Sequence, residues 1–174
     1  MALIKQKVIF SPDECSLILK STGEWNRSEV YNEDNESIIS DIRTSQEKHP
    51  TNEDLPTDLL LDKLGIFGVT KIPMVKKIVR YETGQYYNTH VDKDVKLETN
   101  LERHRTILIQ LTDPSEYEGG EVFLHQYIGM PKVPFDKTIG NVVMFNSEIP
   151  HHIETITSGV RYVFVCWLEE GDYV

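Results

Sequence analysis

The sequence has few cysteines, no excess of basic residues and no long hydrophobic run. Its two cysteines, Cys15 and Cys166, stand far apart and form no CxxC pair. This pattern does not indicate a disulfide framework, and it favours a reducing compartment. Lysine and arginine number 18 against 28 aspartates and glutamates, so the formal net charge is −10. A surface of that sign repels phosphate backbones, which argues against nucleic acid as a partner.

Hydrophobic segments are all short. No apolar run approaches the roughly 18 residues that cross a bilayer, and the first residues lack the apolar core and cleavage site of a signal peptide. We therefore expect a cytoplasmic protein with no membrane partner. The chain has 174 residues and no internal repeat or linker. We expect a single domain over residues 1–174.

The first part of the chain, about residues 1–72, is predicted to form an opening strand and helices that support the β core. Ser11 is followed by proline and two acidic residues, which is typical of a helix start. This helix is expected to run to about residue 22. A second, shorter helix is predicted over residues 56–64, with leucines as its buried stripe.

From residue 73 onward, short apolar runs alternate with Gly, Pro, Asn and Asp, which is typical of β-structure. The predicted strands are residues 74–81, 86–91, 106–111, 121–124, 141–145, 151–156 and 160–168. Seven or eight short strands favour a sandwich or a barrel. The predicted fold class is therefore mainly β with flanking helices (α+β), with the β core at about residues 73–169.

Two segments carry a metal-binding pattern. RYETGQYYNTHVD (80–92) contains His90 and Asp92 two residues apart, and side chains two apart on a strand share one face. A histidine from a neighbouring strand would complete the two-histidine, one-carboxylate arrangement that leaves open positions on Fe(II). HHIETITSGVR (151–161) supplies two adjacent candidates, His151 and His152, which point to opposite faces of a strand.

The order of motifs resembles a known family. The chain reads Y-x-x-G-Q-Y-Y-x-x-H-x-D, GGEVF (119–123), GNVVMF (140–145) and H-x-I-x-x-I-x-x-G-x-R, preceded by DIRTS (41–45). Over about residues 10–167 it resembles the prolyl 4-hydroxylase-like branch of the 2-oxoglutarate and Fe(II)-dependent dioxygenases. The resemblance implies a double-stranded β-helix (jelly-roll) core. It also implies Fe(II), 2-oxoglutarate and O₂, with ascorbate as a candidate reductant.

The resemblance also implies roles for individual residues. His90, Asp92 and His151 would bind iron, since the family has an arginine or lysine ten residues after its distal histidine and Arg161 lies ten after His151. Arg161 would then bind the far carboxylate of 2-oxoglutarate. The alternative for this arginine is an ion pair near the strand end.

Further pocket residues follow from the same resemblance. Relatives often have a tyrosine at the place of Gln110, which shares a strand face with Leu108. This sequence departs from that pattern, but the Gln110 amide can donate to the same carboxylate. Tyr81 is expected to line the pocket, or else to be a core tyrosine. Arg43 and Ser45 are expected near the substrate. The charged loop at residues 93–105 is compatible with a mobile lid and equally with a solvated loop.

The implied reaction is hydroxylation of an unactivated C–H bond. Peptidyl proline, in a peptide or protein substrate, is the family's leading precedent. A free amino acid or another small molecule is the alternative substrate, because 174 residues leave little room for a peptide-binding extension. A non-catalytic jelly-roll module that binds a ligand is a further alternative. The complete triad with Arg161 argues against it.

Overall fold

The computed structural model describes residues 4–31, 37–93, 102–125 and 131–174. These residues form two helices, α1 (Pro12–Leu19) and α2 (Thr57–Leu64), and two short 3₁₀ turns at Gly65–Phe67 and Pro114–Glu116. The strands are β1 (Ile4–Val8), β2 (Asn26–Arg27), β3 (Val30–Tyr31), β4 (Ser37–Ile38), β5 (Gln46–Lys48), β6 (Lys76–Glu82), β7 (Tyr87–His90), β8 (Arg105–Gln110), β9 (Tyr117–Gly119), β10 (Val122–Leu124), β11 (Val133–Pro134), β12 (Asn141–Asn146), β13 (His151–Ile153) and β14 (Ile156–Leu168). The predicted mainly β fold with flanking helices is confirmed.

The strands form two antiparallel sheets and a small separate pair. The larger sheet has the order β1-β12-β8-β14-β6-β5-β2, with β9 also pairing with β14. The smaller sheet has the order β11-β10-β13-β7, and β3 pairs with β4. The site described below lies between the two sheets.

The central strands β8, β12 and β14 of the larger sheet have buried side chains on both faces, which explains why they read as apolar runs. One face packs against the helices, and Cys15 and Ile18 of α1 and Leu60 and Leu64 of α2 lie in that cluster. The opposite, inner face packs against the smaller sheet. Its buried residues on β6, β8, β12 and β14 are Val79, Tyr81, Leu108, Val143, Phe145, Val163, Val165 and Trp167. Strand alternation therefore separates two cores.

Helix α1 begins as its sequence predicts. The Ser11 hydroxyl accepts a hydrogen bond from the Glu14 amide at 3.2 Å, and the Glu14 carboxylate accepts one from the Ser11 amide at 2.8 Å. This reciprocal capping satisfies two amides that the helix itself leaves unpaired. Neither described helix is long and apolar enough to cross a membrane.

Several boundaries differ from prediction. The strand predicted over 151–156 ends at Ile153, and β14 begins at Ile156 rather than at 160. Between them the chain passes from the smaller sheet to the larger one, and the Glu154 amide donates to the Glu121 carbonyl at 2.9 Å. Strands β2 and β5 were not predicted, because they are short and polar. Residues 94–101 of the predicted loop lie outside the described residues.

Candidate metal centre

Three potential metal ligands meet between the sheets. His90 ends β7 and lies directly opposite His151 on β13, and Asp92 follows two residues after His90. The Nε2 atoms of His90 and His151 lie 3.6 Å from Oδ1 and Oδ2 of Asp92, respectively. One ligand atom from each of these three residues lies within 4.8 Å of the other two. Among the described residues, this is the one group of histidine, cysteine and carboxylate side chains that is close enough to hold a metal ion.

Backbone contacts orient both imidazoles toward this point. Nδ1 of His90 lies 2.8 Å from the Asn88 carbonyl oxygen, and Nδ1 of His151 lies 2.9 Å from the Ile149 carbonyl oxygen. A carbonyl oxygen only accepts, so each Nδ1 carries the proton and donates it. Each Nε2 therefore keeps its lone pair for a metal ion.

Asp92 is held from two sides. Its Oδ2 accepts a hydrogen bond from the Thr106 hydroxyl at 2.7 Å, and its amide donates to the Ser147 carbonyl at 2.9 Å. Burial alone would raise the pKa of Asp92, but His151, His90 and the bond from Thr106 lower it well below its usual range. The carboxylate is ionised at neutral pH.

The charge state of His90 also suits a ligand. Burial and the neighbouring His151 hold the pKa of His90 well below its usual value, although Asp92 opposes the shift. The ring is therefore neutral at neutral pH. Divalent metals bind neutral imidazole and ionised carboxylate. Two imidazoles with one carboxylate are typical of non-haem Fe(II) sites.

His152 points away from this cluster. Its Nδ1 lies 2.8 Å from Nε2 of His125, and its ring stacks near Phe123 with centroids 5.4 Å apart. The structure thus places His151, and not His152, beside His90 and Asp92.

Arg161 lines the same cavity as the three ligands. This cavity has a volume of about 190 Å³. The residue is 1% exposed, and its Nε donates to Oε1 of Gln110 at 3.0 Å. Within the described part of the chain, its buried Nη1 and Nη2 have no hydrogen-bond partner. Burying such donors is costly unless they are satisfied. A carboxylate would satisfy both in one bidentate contact.

Gln110 does not have the ligand-binding role that the sequence suggested. Its Nε2 donates to the Tyr117 hydroxyl at 2.9 Å and to the Thr112 carbonyl at 3.0 Å, and the residue is not among those lining the cavity. The expectation that its amide donates to a bound carboxylate is not met, because both of its donors are already used. Gln110 instead orients Arg161.

Tyr81 and Leu108 both line the cavity. Tyr81 lies opposite Arg161 in the β6–β14 pairing and is 1% exposed. Burial raises the pKa of its hydroxyl, against the opposing charges of Arg43 and Arg161. The hydroxyl therefore stays protonated and able to donate. Tyr81 combines the two alternatives stated above, since it is a core residue and a cavity wall.

Arg43 and Ser45 differ in their position relative to the cavity, because only Arg43 lines it. Arg43 lines the cavity and pairs with Glu47 at 3.0 Å, and its Nε donates to the Ser45 hydroxyl at 3.1 Å. Ser45 itself is fully buried behind Arg43 and donates to Ser28 at 2.9 Å. Ser45 thus supports Arg43 and is not among the lining residues.

Sequence reasoning missed several residues of the cavity wall, among them Lys77, Tyr87, Arg103 and Trp167. The ring of Tyr87 stacks on His90 with centroids 3.5 Å apart. Trp167 is buried in the core and also lines the cavity. A signal existed for Lys77, because it shares a strand face with Val79 and Tyr81.

Two facing antiparallel sheets that enclose two imidazoles, a carboxylate and a buried arginine define a non-haem metal oxygenase of the jelly-roll class. Residues 77–169, just over half of the chain, match the family model described as the 2OG-Fe(II) oxygenase superfamily. The chain belongs to this superfamily. Membership implies Fe(II), 2-oxoglutarate and O₂. The paired imidazoles with Asp92, and the unpaired donors of Arg161, fit the metal and the dicarboxylate.

Curated relatives are hydroxylases by name. A PKHD-type hydroxylase of Aliarcobacter butzleri is 33% identical over 94 residues, which are 52% of this chain and 41% of that protein. The chain thus spans about two fifths of the length of that relative. A PKHD-type hydroxylase of Acinetobacter baumannii is 27% identical over 177 residues, covering 96% of this chain and 74% of the relative.

Solved structures share the fold. A Pseudomonas putida prolyl-4-hydroxylase has a TM-score of 0.70 at 17% identity, with 95% of this chain and 92% of that chain covered. A Trichoplax adhaerens prolyl hydroxylase, in complex with a hypoxia inducible factor peptide fragment, has a TM-score of 0.63 at 17% identity, with 98% and 84% covered. These similarities confirm the predicted jelly-roll core.

Proposed function

We propose that the protein is an Fe(II)- and 2-oxoglutarate-dependent hydroxylase that acts on a prolyl residue of a peptide. The observation that carries the proposal is one cavity holding the ligands His90, Asp92 and His151 together with the unpaired guanidinium donors of Arg161. Support for a peptide substrate comes from the Trichoplax neighbour, a prolyl hydroxylase with a bound peptide fragment.

The three ligands would hold Fe(II) from one side and leave other coordination positions open. Bound iron supplies the oxidising chemistry, in which 2-oxoglutarate and O₂ give succinate and CO₂ while one oxygen atom enters a substrate C–H bond. The chain's part is to fix the ligand geometry. The Nδ1 contacts hold the two rings, and the Thr106 hydroxyl holds the Asp92 carboxylate.

Arg161 would bind the far carboxylate of 2-oxoglutarate. Its direction is set by Gln110, which in turn is held by Tyr117. Leu108 and Val163 contribute apolar walls to the cavity that holds Arg161 and the triad. These walls exclude water and strengthen the charge-assisted contact. The co-substrate is thereby oriented with its other end toward the metal ligands.

The test is turnover with two substrate pools. The protein, Fe(II), 2-oxoglutarate and ascorbate are incubated with proline-containing peptides or with free amino acids, and succinate and substrate mass are measured. We expect succinate with the peptides, together with a gain of one oxygen atom on proline. His90→Ala is the matched blank. Stimulation by free amino acids alone would overturn the peptide assignment, and no succinate above the blank in either pool would contradict a hydroxylase for these substrates.

A further inference from the structure

A second cluster of cations lines the cavity on the Trp167 side. The Lys77 side chain is 11% exposed, and its Nζ donates to Oε2 of Glu47 at 2.8 Å and lies 5.2 Å from the Trp167 ring centroid. The Arg103 guanidinium lies 3.9 Å from the same ring centroid. Arg43 shares Glu47 with Lys77. Two of these cations therefore lie against the Trp167 ring, and Arg43 joins them through the shared Glu47 carboxylate.

This cluster is distinct from the arginine assigned to 2-oxoglutarate. In the strand register, Lys77 lies opposite Val165, and Val165 lies opposite Leu108 on the next strand. Tyr81 lies opposite Arg161. Lys77 and Tyr81 are four residues apart on one face of β6, which corresponds to roughly 14 Å along the strand. Lys77 and Arg161 therefore lie in different rows of the inner face and face different parts of a ligand.

The charges of the cluster do not balance. Its cations are Arg43, Lys77 and Arg103. Among the described residues, the carboxylates in or beside the cavity wall are Glu47, which pairs with two of these cations, Glu29, and Asp92, which is assigned to the metal ion. With Lys77 protonated and Asp92 bound to the metal, the three positive groups face two remaining carboxylates, which leaves one positive charge in excess. This excess stands out in a chain whose formal net charge is −10. Cations gathered in a partly enclosed wall concentrate a favourable potential for an anion.

We propose that Lys77, with Arg43 and Arg103 beside it, binds a carboxylate group of the primary substrate. The inference rests on the proposed function, because it places the substrate next to the iron site. One excess charge suits a monoanionic carboxylate, and the Trp167 ring and Val165 supply an apolar surface for the substrate atoms beside it. The carboxylate has two chemical sources: an acidic side chain next to the hydroxylated residue, or a free α-carboxyl group.

Lys77 has a simpler interpretation as a buried structural ion pair with Glu47. The two interpretations differ in one measurable respect. A structural lysine affects all ligands alike, whereas a recognition lysine affects only ligands that carry the carboxylate. Dissociation constants for matched probes separate the two without requiring turnover.

The experiment uses protein loaded with Mn(II) and 2-oxoglutarate, and ligand-observed NMR. The first pair of probes is N-acetyl-Pro-Glu-amide and N-acetyl-Pro-Gln-amide, and the second is N-acetylproline and N-acetylprolinamide. We expect one acid to bind about tenfold or more tightly than its neutral partner, as for a charge-assisted contact. The pair that shows the preference identifies the source of the carboxylate.

In Lys77→Met the preference should fall to about one, and in Lys77→Arg it should largely return. Lys76→Met is the matched control, because the Lys76 ammonium donates to the Pro73 carbonyl and the residue does not line the cavity. A preference that survives Lys77→Met, equal weakening of acid and neutral probes, or no binding of any probe would overturn the inference. Failure of the proposed function would show instead in the separate Fe(II) assay, as missing succinate.

Discussion

At the scale of single residues, the metal centre depends on which of two adjacent histidines faces it. We predict that His151→Ala weakens Mn(II) binding by at least about 100-fold, because a ligand is lost as well as its orienting contact. His152→Ala is the matched control, since its Nδ1 contacts His125 on the other face, and it should bind Mn(II) like the parent. Titration calorimetry measures both. Loss of binding in His152→Ala alone would contradict the assignment.

Gln110 shows how one residue positions another. We predict that Gln110→Leu raises KM for 2-oxoglutarate by about tenfold, because Arg161 loses the acceptor that fixes its Nε and a buried unsatisfied donor costs about 1–3 kcal/mol. Metal affinity should not change, since Gln110 does not contact the triad. Steady-state kinetics with varied 2-oxoglutarate and a parallel Mn(II) titration test this. Equal losses in both would indicate general damage to the fold.

Lys77 gives the carboxylate site a pH dependence. Burial, together with Arg43, lowers the pKa of Lys77 to about 7, although Glu47 opposes the shift. Arg43 and Arg103 keep their charges, and the pKa of Glu47 lies well below its usual range because His49, Lys77 and Arg43 outweigh its burial. Trp167 does not titrate. Lys77 is therefore the group of this cluster that changes charge near neutral pH.

The sign of this dependence follows directly. The lysine is an ammonium below its pKa, so the affinity for an acidic probe should fall as pH rises through about 7. The neutral probe should show no such step. Lys77→Arg should give a flat profile, because arginine does not deprotonate in this range. NMR titrations at pH 6 to 9 measure the three curves, and a step that persists in Lys77→Arg would rule out Lys77 as its origin.

At the scale of elements, one turn joins three strands. Gly140 has φ of +82°, its carbonyl accepts from the Ile9 and Phe10 amides at 3.1 and 3.2 Å, and its amide donates to the Gln110 carbonyl at 2.9 Å. A Cβ at this position would lie 1.8 Å from the Phe10 carbonyl oxygen. The turn thus has no room for a side chain, and it sets how β1 and β8 meet β12.

We predict that Gly140→Ala lowers the free energy of unfolding by at least about 1–3 kcal/mol, the usual cost of a strained backbone. The midpoint of thermal unfolding should fall by roughly 2–4 °C per kcal/mol for a chain of this length. Gly65→Ala is the control, because Gly65 has φ of −54° and nothing within 4 Å of an added Cβ. Similar midpoints for the two variants would contradict the packing described for this turn.

The elements themselves were largely predictable from the sequence. The runs of Val, Ile and Phe placed β6, β8, β12 and β14 to within a few residues, and two-residue alternation put His90 and Asp92 on one face. The role of Gln110 was not predictable. It depends on Tyr117, which returns to Gln110 only after the 3₁₀ turn at Pro114–Glu116. No pattern along the chain encodes that contact.

The cation cluster was missed for a related reason. Both faces of β14 are apolar, so the sequence does not show which face meets the helices and which meets the cavity. Strand β5 is polar and three residues long, and gives no alternation signal. Its pairing with β6 brings Glu47 opposite Val79 and within reach of Lys77. Only the folded sheet brings together charges that are about 30 residues apart.

At the scale of the whole molecule, charge is distributed unevenly. The chain is strongly acidic, yet four of its cationic side chains face one cavity: Arg43, Lys77, Arg103 and Arg161. Long-range attraction of an anion by the whole protein is therefore not expected. The attraction is local, where low dielectric strengthens it and salt screens it less. This arrangement suits small anionic ligands that are enclosed on binding.

The central claim is that the triad and Arg161 are two ends of one co-substrate site. The most direct test is the thermal stability of the protein with Mn(II) and 2-oxoglutarate, added singly and together. At 100 times its Kd, 2-oxoglutarate should stabilise the metal-loaded protein by about 2.7 kcal/mol, which corresponds to a rise of roughly 5–10 °C. The rise should be much smaller without metal, in His151→Ala and in Arg161→Gln. An equal rise in all four samples, or none in the metal-loaded parent, would contradict the account.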